Sequence, residues 1–301
     1  MNKHSHPNEA AELESGLESG APLIVPQDPI WRAVRDDALA AVDRDPATAP
    51  MFDTLVLKHA RLEDAVIAVL CSRLADAFWA DQALCKLLHD VLETSPDVLK
   101  HLAADMQAVY DRDPACHRYV EPLVYFKGFQ ALQAHRFSHM LWKDGRQDMA
   151  LYLQSRMSAV FQVDINPASQ IGGGIFFDHA TGIVIGETAV IDDNVSIMQN
   201  VTLGGTGKED GDRHPKVRCG VLVGSGAKVL GNIELGQGSR VAASSVVLDP
   251  VPPRATVAGI PAKIVSIAEP LGPDCMPSLN MDQTVPHERE NERHVDSGSG
   301  I

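Results

Sequence analysis

A six-residue recurrence of aliphatic side chains constrains the fold of this chain more than any other feature of its sequence. Such residues step by six from Ile165 to Ile183, from Ile185 to Leu203 and from Val217 to Val247. Neither an α-helix, with its period of 3.6, nor a flat strand, with its period of 2, produces this spacing. A three-sided coil does, because each flat side turns one aliphatic residue inward and stacked turns bury them in one column. The repeats therefore predict a parallel β-helix.

The recurrence is interrupted twice, and both interruptions predict where the chain leaves the regular coil. One slip adds two residues around Asp178 and His179, and the other adds eight residues within the segment 204–216. An insertion that leaves a rigid solenoid is a common place for functional residues. Glycines that follow an inward aliphatic residue are expected at tight corners; they are Gly172, Gly186, Gly224 and Gly236.

Glycine content divides the chain into differently built regions. No glycine occurs from Pro29 to Lys127, a stretch rich in residues that favour helix, whereas residues 165–261 contain 16 of the 23 glycines. This α+β composition predicts an all-helical domain ahead of the β-helix. The predicted segments are a disordered extension over 1–27, a helical domain over 28–160, a β-helix domain over 161–263 and a flexible tail over 264–301.

Local patterns predict the starts and the core of the helices. Apolar residues recur at three- and four-residue steps from Leu62 to Phe78, which predicts one buried face. Asp28-Pro29 and Ser95-Pro96 each combine a capping residue with a first-turn proline and predict a helix start. The predicted core includes Trp79, Phe126, Leu132, Phe137 and Trp142.

Charge and cysteine content argue against several classes of protein. The formal net charge is −14, which opposes general attraction to nucleic acid or to an anionic membrane. No apolar run approaches the roughly 20 residues that span a bilayer, and the polar N-terminus does not resemble a signal peptide, so a cytoplasmic location is expected. The five cysteines show no CxxC pairing. They are expected to be free thiols, with no metal site.

Several segments together resemble a known family. They are the runs QVDI at 162–165, DHATG at 178–182, VTLGGTG at 201–207, DRHPK at 212–216 and the helical YFKGFQALQ at 125–133. The chain resembles the bacterial serine acetyltransferases of the hexapeptide-repeat superfamily over about residues 28–265 and again at its final isoleucine. The resemblance implies a left-handed β-helix that moves acetyl from acetyl-CoA to L-serine, the first step of cysteine biosynthesis. It implies acetyl-CoA as co-substrate and no tightly bound cofactor.

The resemblance implies that His179 is the general base. An imidazole suits this task, since a serine hydroxyl at its own pKa is a poor nucleophile. Asp164 would hold the imidazole in the productive tautomer. It lies fifteen residues earlier, which is one coil of eighteen less three. The alternative for His179 is a structural histidine, hydrogen-bonded at a solenoid corner.

Serine carries an ammonium and a carboxylate, and each needs a partner of opposite charge because unpaired buried charge is costly. The resemblance assigns Asp113 and Asp178 to the ammonium, and Arg213 with His214 to the carboxylate and hydroxyl. Glu187 is a weaker candidate for supporting this site. From the residues alone, Asp113 stands before a proline and also fits a helix N-cap, and the Arg213-His214 pair also fits a solvated loop.

The resemblance also implies contacts to acetyl-CoA. Its amide-rich arm can pair with backbone groups along a coil edge, where glycines allow close approach. The candidates for this edge are Gly205, Thr206, Ser225, Gly226 and Ala243. Lys228, Arg240 and Lys263 could meet phosphate or adenine, and are equally compatible with ordinary surface charge. The chain departs from the family pattern at Asn166, where many relatives have histidine, and at the Ala242–Ser244 turn, which lacks the usual glycine.

Assembly and partners follow from the coil and from the resemblance. Three-sided solenoids commonly pack as trimers with sites between subunits. The resemblance adds a hexamer made of two trimers, inhibition by L-cysteine, and binding of O-acetylserine sulfhydrylase through the C-terminal Ile301. Two alternatives remain: a hexapeptide acyltransferase with another acceptor such as homoserine, and a non-catalytic scaffold for the sulfhydrylase. A zinc hydratase would need three clustered histidines, and the solenoid sequence offers only His179 and His214.

Overall fold

The computed structural model describes residues 29–207, 210–269 and 276–284. They form a helical region followed by a three-sided parallel β-helix, as the sequence predicted. The predicted disordered extension, the predicted cap at Asp28 and the predicted partner-binding Ile301 lie outside the described residues.

The helical region contains eight α-helices within the described part of the chain. They are α1 (Pro29–Arg44), α2 (Ala49–Phe52), α3 (Leu62–Leu74), α4 (Asp81–Thr94), α5 (Leu102–Arg112), α6 (Val120–Val124), α7 (Lys127–Lys143) and α8 (Gln147–Phe161). Short 3₁₀ turns cover Pro46–Thr48 and Pro96–Leu99, and a π-type turn covers Asp53–Leu57. A ninth short helix, α9 (Pro277–Asn280), follows the β-helix.

The long helix α7 is the centre of the helical region and its link to the β-helix. It packs against α8, α3, α6 and strand residues of the solenoid. Gly128 lies at the crossing, where an added Cβ would overlap the carbonyl oxygen of Phe177. Leu132 and Phe137 are fully buried, as predicted. Glycine near the start of this helix therefore lets it approach the strand that leads to His179.

Three predictions for the helical region need correction. Phe78 is 89% exposed, because α3 ends at Leu74 and Phe78 lies in a loop held by hydrogen bonds to the Asp76 carboxylate. Ser95 does precede a proline-initiated turn, but the turn is 3₁₀ and the Ser95 side chain makes no capping hydrogen bond. Trp79, Phe126 and Trp142 are partly buried against the core rather than within it.

The β-helix has three faces, and the strands of each face run parallel except for the last strand of the third face. The first face contains β1 (Val163–Ile165), β4 (Ile183–Ile185), β7 (Thr202–Gly204), β10 (Lys228–Leu230) and β13 (Val246–Val247). The second contains β2 (Gln170–Ile171), β5 (Val190–Ile191), β8 (Lys216–Val217) and β11 (Glu234–Leu235). The third contains β3 (Phe176–Asp178), β6 (Ser196–Met198), β9 (Leu222–Val223), β12 (Arg240–Val241), β14 (Ala255–Gly259) and the antiparallel β15 (Ala262–Ile267).

The strand register confirms the six-residue pattern and both slips. On the first face, Ile165, Ile185, Leu203, Val229 and Val247 are successive Cα partners. All five are at most 2% exposed, so each contributes to one inward aliphatic column. The insertions therefore lie outside the column, at the corners where the two slips were predicted.

The glycines that follow inward residues lie at corners, as predicted, because each stands between two consecutive strands. Those at 224 and 236 do not adopt a left-handed conformation; an added Cβ would lie 2.7 Å from the Ala243 nitrogen and 2.5 Å from the Pro253 nitrogen. They are needed because the next coil lies directly against them. The left-handed corner glycines stand elsewhere, as at Gly182 and Gly226.

The ordered β-structure extends beyond the predicted start of the tail at residue 264. β15 runs to Ile267, because it pairs antiparallel with β14 after the six-residue repeat has ended. The described segment 276–284 then packs on the third face, where the Ser196 hydroxyl donates to the Ser278 carbonyl at 2.9 Å. The boundary at 263 was therefore placed too early.

Two cysteines contradict the expectation of free thiols. Cys71 on α3 and Cys85 on α4 form a disulfide, with their Cα atoms 5.6 Å apart. The spacing in the sequence gave no sign of this pair, because it forms only when α3 and α4 pack together. Cys116 and Cys219 are free.

Within the described ranges, no helix is both long and apolar enough to cross a membrane.

Candidate functional site

A cavity of about 650 Å³ lies where the helical region meets the first coil of the β-helix. Its walls come from the end of α5, the start of α7, strand β3 and the described C-terminal segment. The groups with chemistry to offer are Arg112, Asp113, Lys127, Asp178 and His179. The two-residue slip therefore opens onto a cavity.

His179 lies in a turn whose backbone conformation is energetically unfavourable for residues other than glycine. Its φ is 53° and that of Ala180 is 60°, so two consecutive non-glycine residues are left-handed. Such conformations cost about 1–3 kcal/mol each and concentrate at functional sites. The turn is held by hydrogen bonds from Thr181 N to the His179 carbonyl and from Gly182 N to the Gln162 carbonyl, both 2.8 Å. The His179 imidazole is exposed and lies 3.7 Å from an Asp178 carboxylate oxygen.

Two carboxylates give the cavity a negative character beside His179. Burial raises the pKa of Asp178, His179 opposes that shift, and the nearby Asp113 charge adds to it. Mutual repulsion of this kind is relieved when a cation binds between the groups. The arrangement suits a primary ammonium.

Asp113 is not the helix N-cap that its neighbouring proline suggested. It is the residue that follows α5, and its carboxylate accepts a hydrogen bond from Ala115 N at 2.8 Å. No helix begins at Pro114 in this described stretch. The side chain instead lines the cavity with Asp178 and His179.

Asp164 lies on β1 and has a different partner from the one predicted. Its carboxylate accepts a hydrogen bond from the Gln154 amide of α8 at 2.7 Å. Among residues 29–207 and the other described ranges, no hydrogen bond or ion pair joins Asp164 to His179. Its orienting role therefore stays a prediction.

A second polar group lies at another corner, formed by the eight-residue insertion. Arg213 Nη2 is 2.6 Å from a Glu187 carboxylate oxygen. The His214 ring is 7% exposed, and burial followed by the Arg213 charge lowers its pKa. Thr188 organises this corner: its hydroxyl oxygen accepts from Arg213 N at 3.0 Å and from His214 N at 3.1 Å. The corner places an arginine that is paired with Glu187 beside a buried imidazole.

Sequence reasoning missed three residues of these corners. Thr188 holds the inserted loop, Lys127 donates to the Thr181 hydroxyl beside His179, and Arg112 borders the cavity. Lys127 stands within the run that carried the family resemblance, which was the one available signal. Thr188 and Arg112 have no distinctive spacing.

The two corners do not meet within one chain. His179 lies where the third face turns into the first, and Arg213 with His214 lies where the first face turns into the second. The first face separates them, and the cavity around His179 is not lined by Arg213 or His214. One corner therefore offers two carboxylates with a histidine, and the other offers an arginine with a histidine.

Several of the residues predicted to contact acetyl-CoA lie at the same corner as His179, on later coils of the β-helix. Gly226 N donates to the Gln199 carbonyl at 2.9 Å, and Ser244 N donates to the Ser225 carbonyl at 2.8 Å. Ala243 belongs to this ladder, where the Ala242–Ser244 departure makes the turn with Ser244 left-handed at φ 59°. The ladder forms a continuous edge along the solenoid.

The remaining acetyl-CoA candidates are more dispersed. Lys228 bonds to Asn200 beside the ladder, and burial lowers its pKa. Gly205 lies against the Arg213 side chain, with Thr206 next to it. Arg240 pairs with Asp282, and Lys263 lies on β15. Asn166, the other departure from the family pattern, accepts a hydrogen bond from Ala168 N at 2.9 Å.

In the described part of the chain, three potential metal ligands converge only at Cys71, Asp81 and Cys85. The two sulfur atoms there are already bonded to each other. This group lies on α3 and α4 and does not line the cavity of His179.

Comparison with known proteins assigns the chain to a family. The family described as serine acetyltransferase, N-terminal, matches residues 30–134. The serine acetyltransferase of Salmonella typhimurium is 50% identical over 254 residues, which cover 84% of this chain and 92% of the relative. The solved serine acetyltransferase of Brucella abortus in complex with coenzyme A is 51% identical, with a TM-score of 0.79 over 80% of this chain and 97% of that one. A solved serine acetyltransferase in complex with cysteine is 47% identical, with a TM-score of 0.82 over 85% and 98%. This chain belongs to the serine acetyltransferase family.

Proposed function

We propose that this chain forms O-acetyl-L-serine from L-serine and acetyl-CoA by direct transfer, with His179 as the general base. The observation that carries the proposal is the exposed, left-handed His179 beside the Asp113 and Asp178 carboxylates in one cavity. A family member crystallised with coenzyme A supports the co-substrate.

The proposed step moves one proton and exchanges one bond. The His179 imidazole takes the proton of the serine hydroxyl while the hydroxyl oxygen attacks the thioester carbonyl. The carbon–sulfur bond breaks, and the departing thiolate receives the proton from the imidazolium as free CoA. Asp113 and Asp178 hold the substrate ammonium, and Asp164 orients the base after exchanging its bond to Gln154. No group outside the two substrates is consumed.

The carboxylate of serine would be held by a neighbouring subunit. Arg213 and His214 lie across the first face from His179, so a three-fold arrangement of chains around that face brings one chain's base to the next chain's arginine. The first face supports such packing, since Val184 and Leu248 project from it with 39% and 50% exposure. Arg213 would then release Glu187 and grip the carboxylate with two hydrogen bonds. A hexamer of two such trimers through the helical regions is part of the proposal.

Acetyl-CoA would lie along the ladder of corner residues above His179. Backbone groups near Ser225, Gly226 and Ala243 would pair with the amides of the pantetheine arm from this ladder, and those near Gly205 and Thr206 would do so from the corner of Arg213. Lys228, Arg240 and Lys263 would approach its charged nucleotide end. In this orientation the thioester of acetyl-CoA lies at the first coil of the β-helix, beside the His179 imidazole.

Regulation and partner binding are proposed from substrate chemistry and from relatives. L-cysteine differs from serine only by sulfur in place of oxygen, and a relative has been solved with cysteine bound. It should compete with serine at the same site. O-acetylserine sulfhydrylase would bind through Ile301. Deletion of Ile301 would therefore remove this binding and leave acetyl transfer intact. A cytoplasmic location fits this metabolic role.

The test of the proposed function is a thiol-release assay with acetyl-CoA and a panel of acceptors. Serine is expected to give the highest kcat/KM. Homoserine is the sharpest competitor, because one methylene changes binding by only about 1–3 kcal/mol. Equal or faster turnover of homoserine or of a sugar would show that this acceptor, rather than serine, is the substrate. No thiol release with any acceptor would favour the scaffold alternative.

Gly186→Ala is expected to raise KM for serine by about tenfold, which corresponds to roughly 1.4 kcal/mol of binding free energy. An added Cβ would overlap the His214 ring, which therefore must leave its hydrogen bond with Thr188. Steady-state kinetics with serine varied at saturating acetyl-CoA measures the change.

Gly204→Ala is the matched control for Gly186→Ala. Its added Cβ would meet only side-chain atoms, at 3.0 Å and 3.3 Å, and none of them belongs to His214. Equal KM values for serine in the two variants would show that the position of the His214 ring does not affect KM for serine.

A further inference from the structure

Arg112 is a buried cation with neutral partners. It is the last residue of α5 and is 7% exposed. Its guanidinium donates to the Ser196 hydroxyl at 3.1 Å and to the Asn194 amide oxygen at 3.3 Å. No carboxylate lies within ion-pair distance of Arg112 in the described ranges. Burial lowers its pKa to about 10, and the more distant charges of Asp111 and Asp105 oppose that shift. A buried charge without a counterion is costly, so its retention calls for a specific role.

The two acceptors belong to the β-helix rather than to the helical region. Asn194 occupies a corner of the second coil with φ 57°, and Ser196 begins β6. The Ser196 hydroxyl is itself fixed by donating to the Ser278 carbonyl. Arg112 thus joins the end of α5 to a part of the solenoid more than 80 residues later in the chain.

Arg112 is the chain neighbour of one of the two cavity carboxylates. Asp113 follows directly and lines the cavity with Asp178 and His179. The distance between the Asp113 and Asp178 carboxylates depends on where α5 ends relative to β3. A fixed guanidinium at that end restricts the motion of the Asp113 backbone. Misplacement by about 1 Å can cost two orders of magnitude in activity, so a rigid tie at this point matters.

We propose that Arg112 is a positioning residue for the ammonium site, holding Asp113 opposite Asp178 through its bonds to Asn194 and Ser196. This inference rests on the proposed function, in which those two carboxylates bind the ammonium of serine. Arg112 itself does not contact the reacting atoms.

The test uses the full-length assembled enzyme. Arg112→Gln is expected to raise KM for serine about tenfold and to leave KM for acetyl-CoA within about twofold. Arg112→Lys keeps the charge but loses the planar fork, so an intermediate rise is expected. Ser196→Ala removes one acceptor and should raise KM for serine less than Arg112→Gln does. If Arg112→Gln does not assemble, these two milder variants decide the question.

Arg156→Gln is the matched structural control. Arg156 also ties separate elements together, donating to the carbonyls of Leu74 at 2.9 Å and Ala75 at 3.2 Å, but it does not line the cavity. Its replacement should lower thermal stability without a selective change in KM for serine. The same selective rise in KM for serine in Arg156→Gln would overturn the inference. Loss of any hydrogen bond between separate elements would then be enough to cause it.

A double-mutant cycle with Asp113→Asn separates positioning from general stability. If Arg112 acts through Asp113, the double variant should have the same KM for serine as Asp113→Asn alone. Multiplication of the two single effects would overturn the inference. If Asp113→Asn leaves KM for serine unchanged, the proposed ammonium site fails and the inference fails with it. If Asp113→Asn raises KM while the Arg112 variants do not, only the inference fails.

Discussion

Replacing His179 with asparagine is expected to lower kcat for serine acetylation by about 10² to 10⁴-fold, the usual contribution of a general base. Asparagine tolerates the left-handed conformation found at this position, so the turn between β3 and β4 should persist. The lost function is then proton removal alone. The assay is thiol release at saturating serine and acetyl-CoA.

His117→Asn is the control for this substitution. His117 is exposed, and its backbone NH donates to Glu121 at 2.8 Å. It does not line the cavity, so its replacement should leave kcat unchanged. An undiminished kcat in His179→Asn would remove the base from the proposed mechanism.

The second large effect is expected at Arg213. Arg213→Met should raise KM for serine by about 10- to 150-fold, because a hydrogen bond to a charged group contributes roughly 1.5–3 kcal/mol. Arg213→Lys should recover only part of this, since an ammonium cannot reproduce the two parallel bonds of a guanidinium. KM for acetyl-CoA is expected to stay within about twofold.

Arg218→Met is the matched control for Arg213→Met. Arg218 also pairs with a glutamate, Glu234, at 2.6 Å, but it lies on the second face away from both corners. Its loss should leave KM for serine unchanged. A rise in KM for acetyl-CoA rather than for serine in Arg213→Met would place Arg213 at the co-substrate instead.

The β-helix was predictable in detail because one inward residue per six is a property of the coil itself. Ile185 and Leu203 pair in the register that the spacing predicted, and both insertions lie at corners. An inward side chain in a stacked coil is buried whatever the neighbouring elements are. The sequence alone therefore locates each face and each place where the coil is interrupted.

Contacts between distant segments were not predictable in this way. The disulfide between Cys71 and Cys85 depends on how α3 packs against α4. The bonds of Arg112 to Asn194 and Ser196 cross from helix to solenoid. No local pattern encodes such pairs.

At the site itself, short polar sequence patterns were compatible with more than one local structure. An aspartate before a proline fits an N-cap, yet Asp113 follows a helix and accepts a hydrogen bond from Ala115. Coil arithmetic brought Asp164 near His179, but the side chain bonds to Gln154 of α8. The spacing fixes where a backbone lies, while the partner of a side chain depends on the packing of the helical region.

The most direct measurement of the shared site is subunit complementation. His179→Asn and Arg213→Met chains, each inactive alone at low serine, are unfolded together, refolded as a 1:1 mixture and assayed by thiol release. If one chain supplies the base and its neighbour the arginine, random three-fold assembly restores about a quarter of the wild-type sites. Recovery near that fraction is the predicted result. Mixed assemblies that stay as inactive as the separate variants would contradict the account.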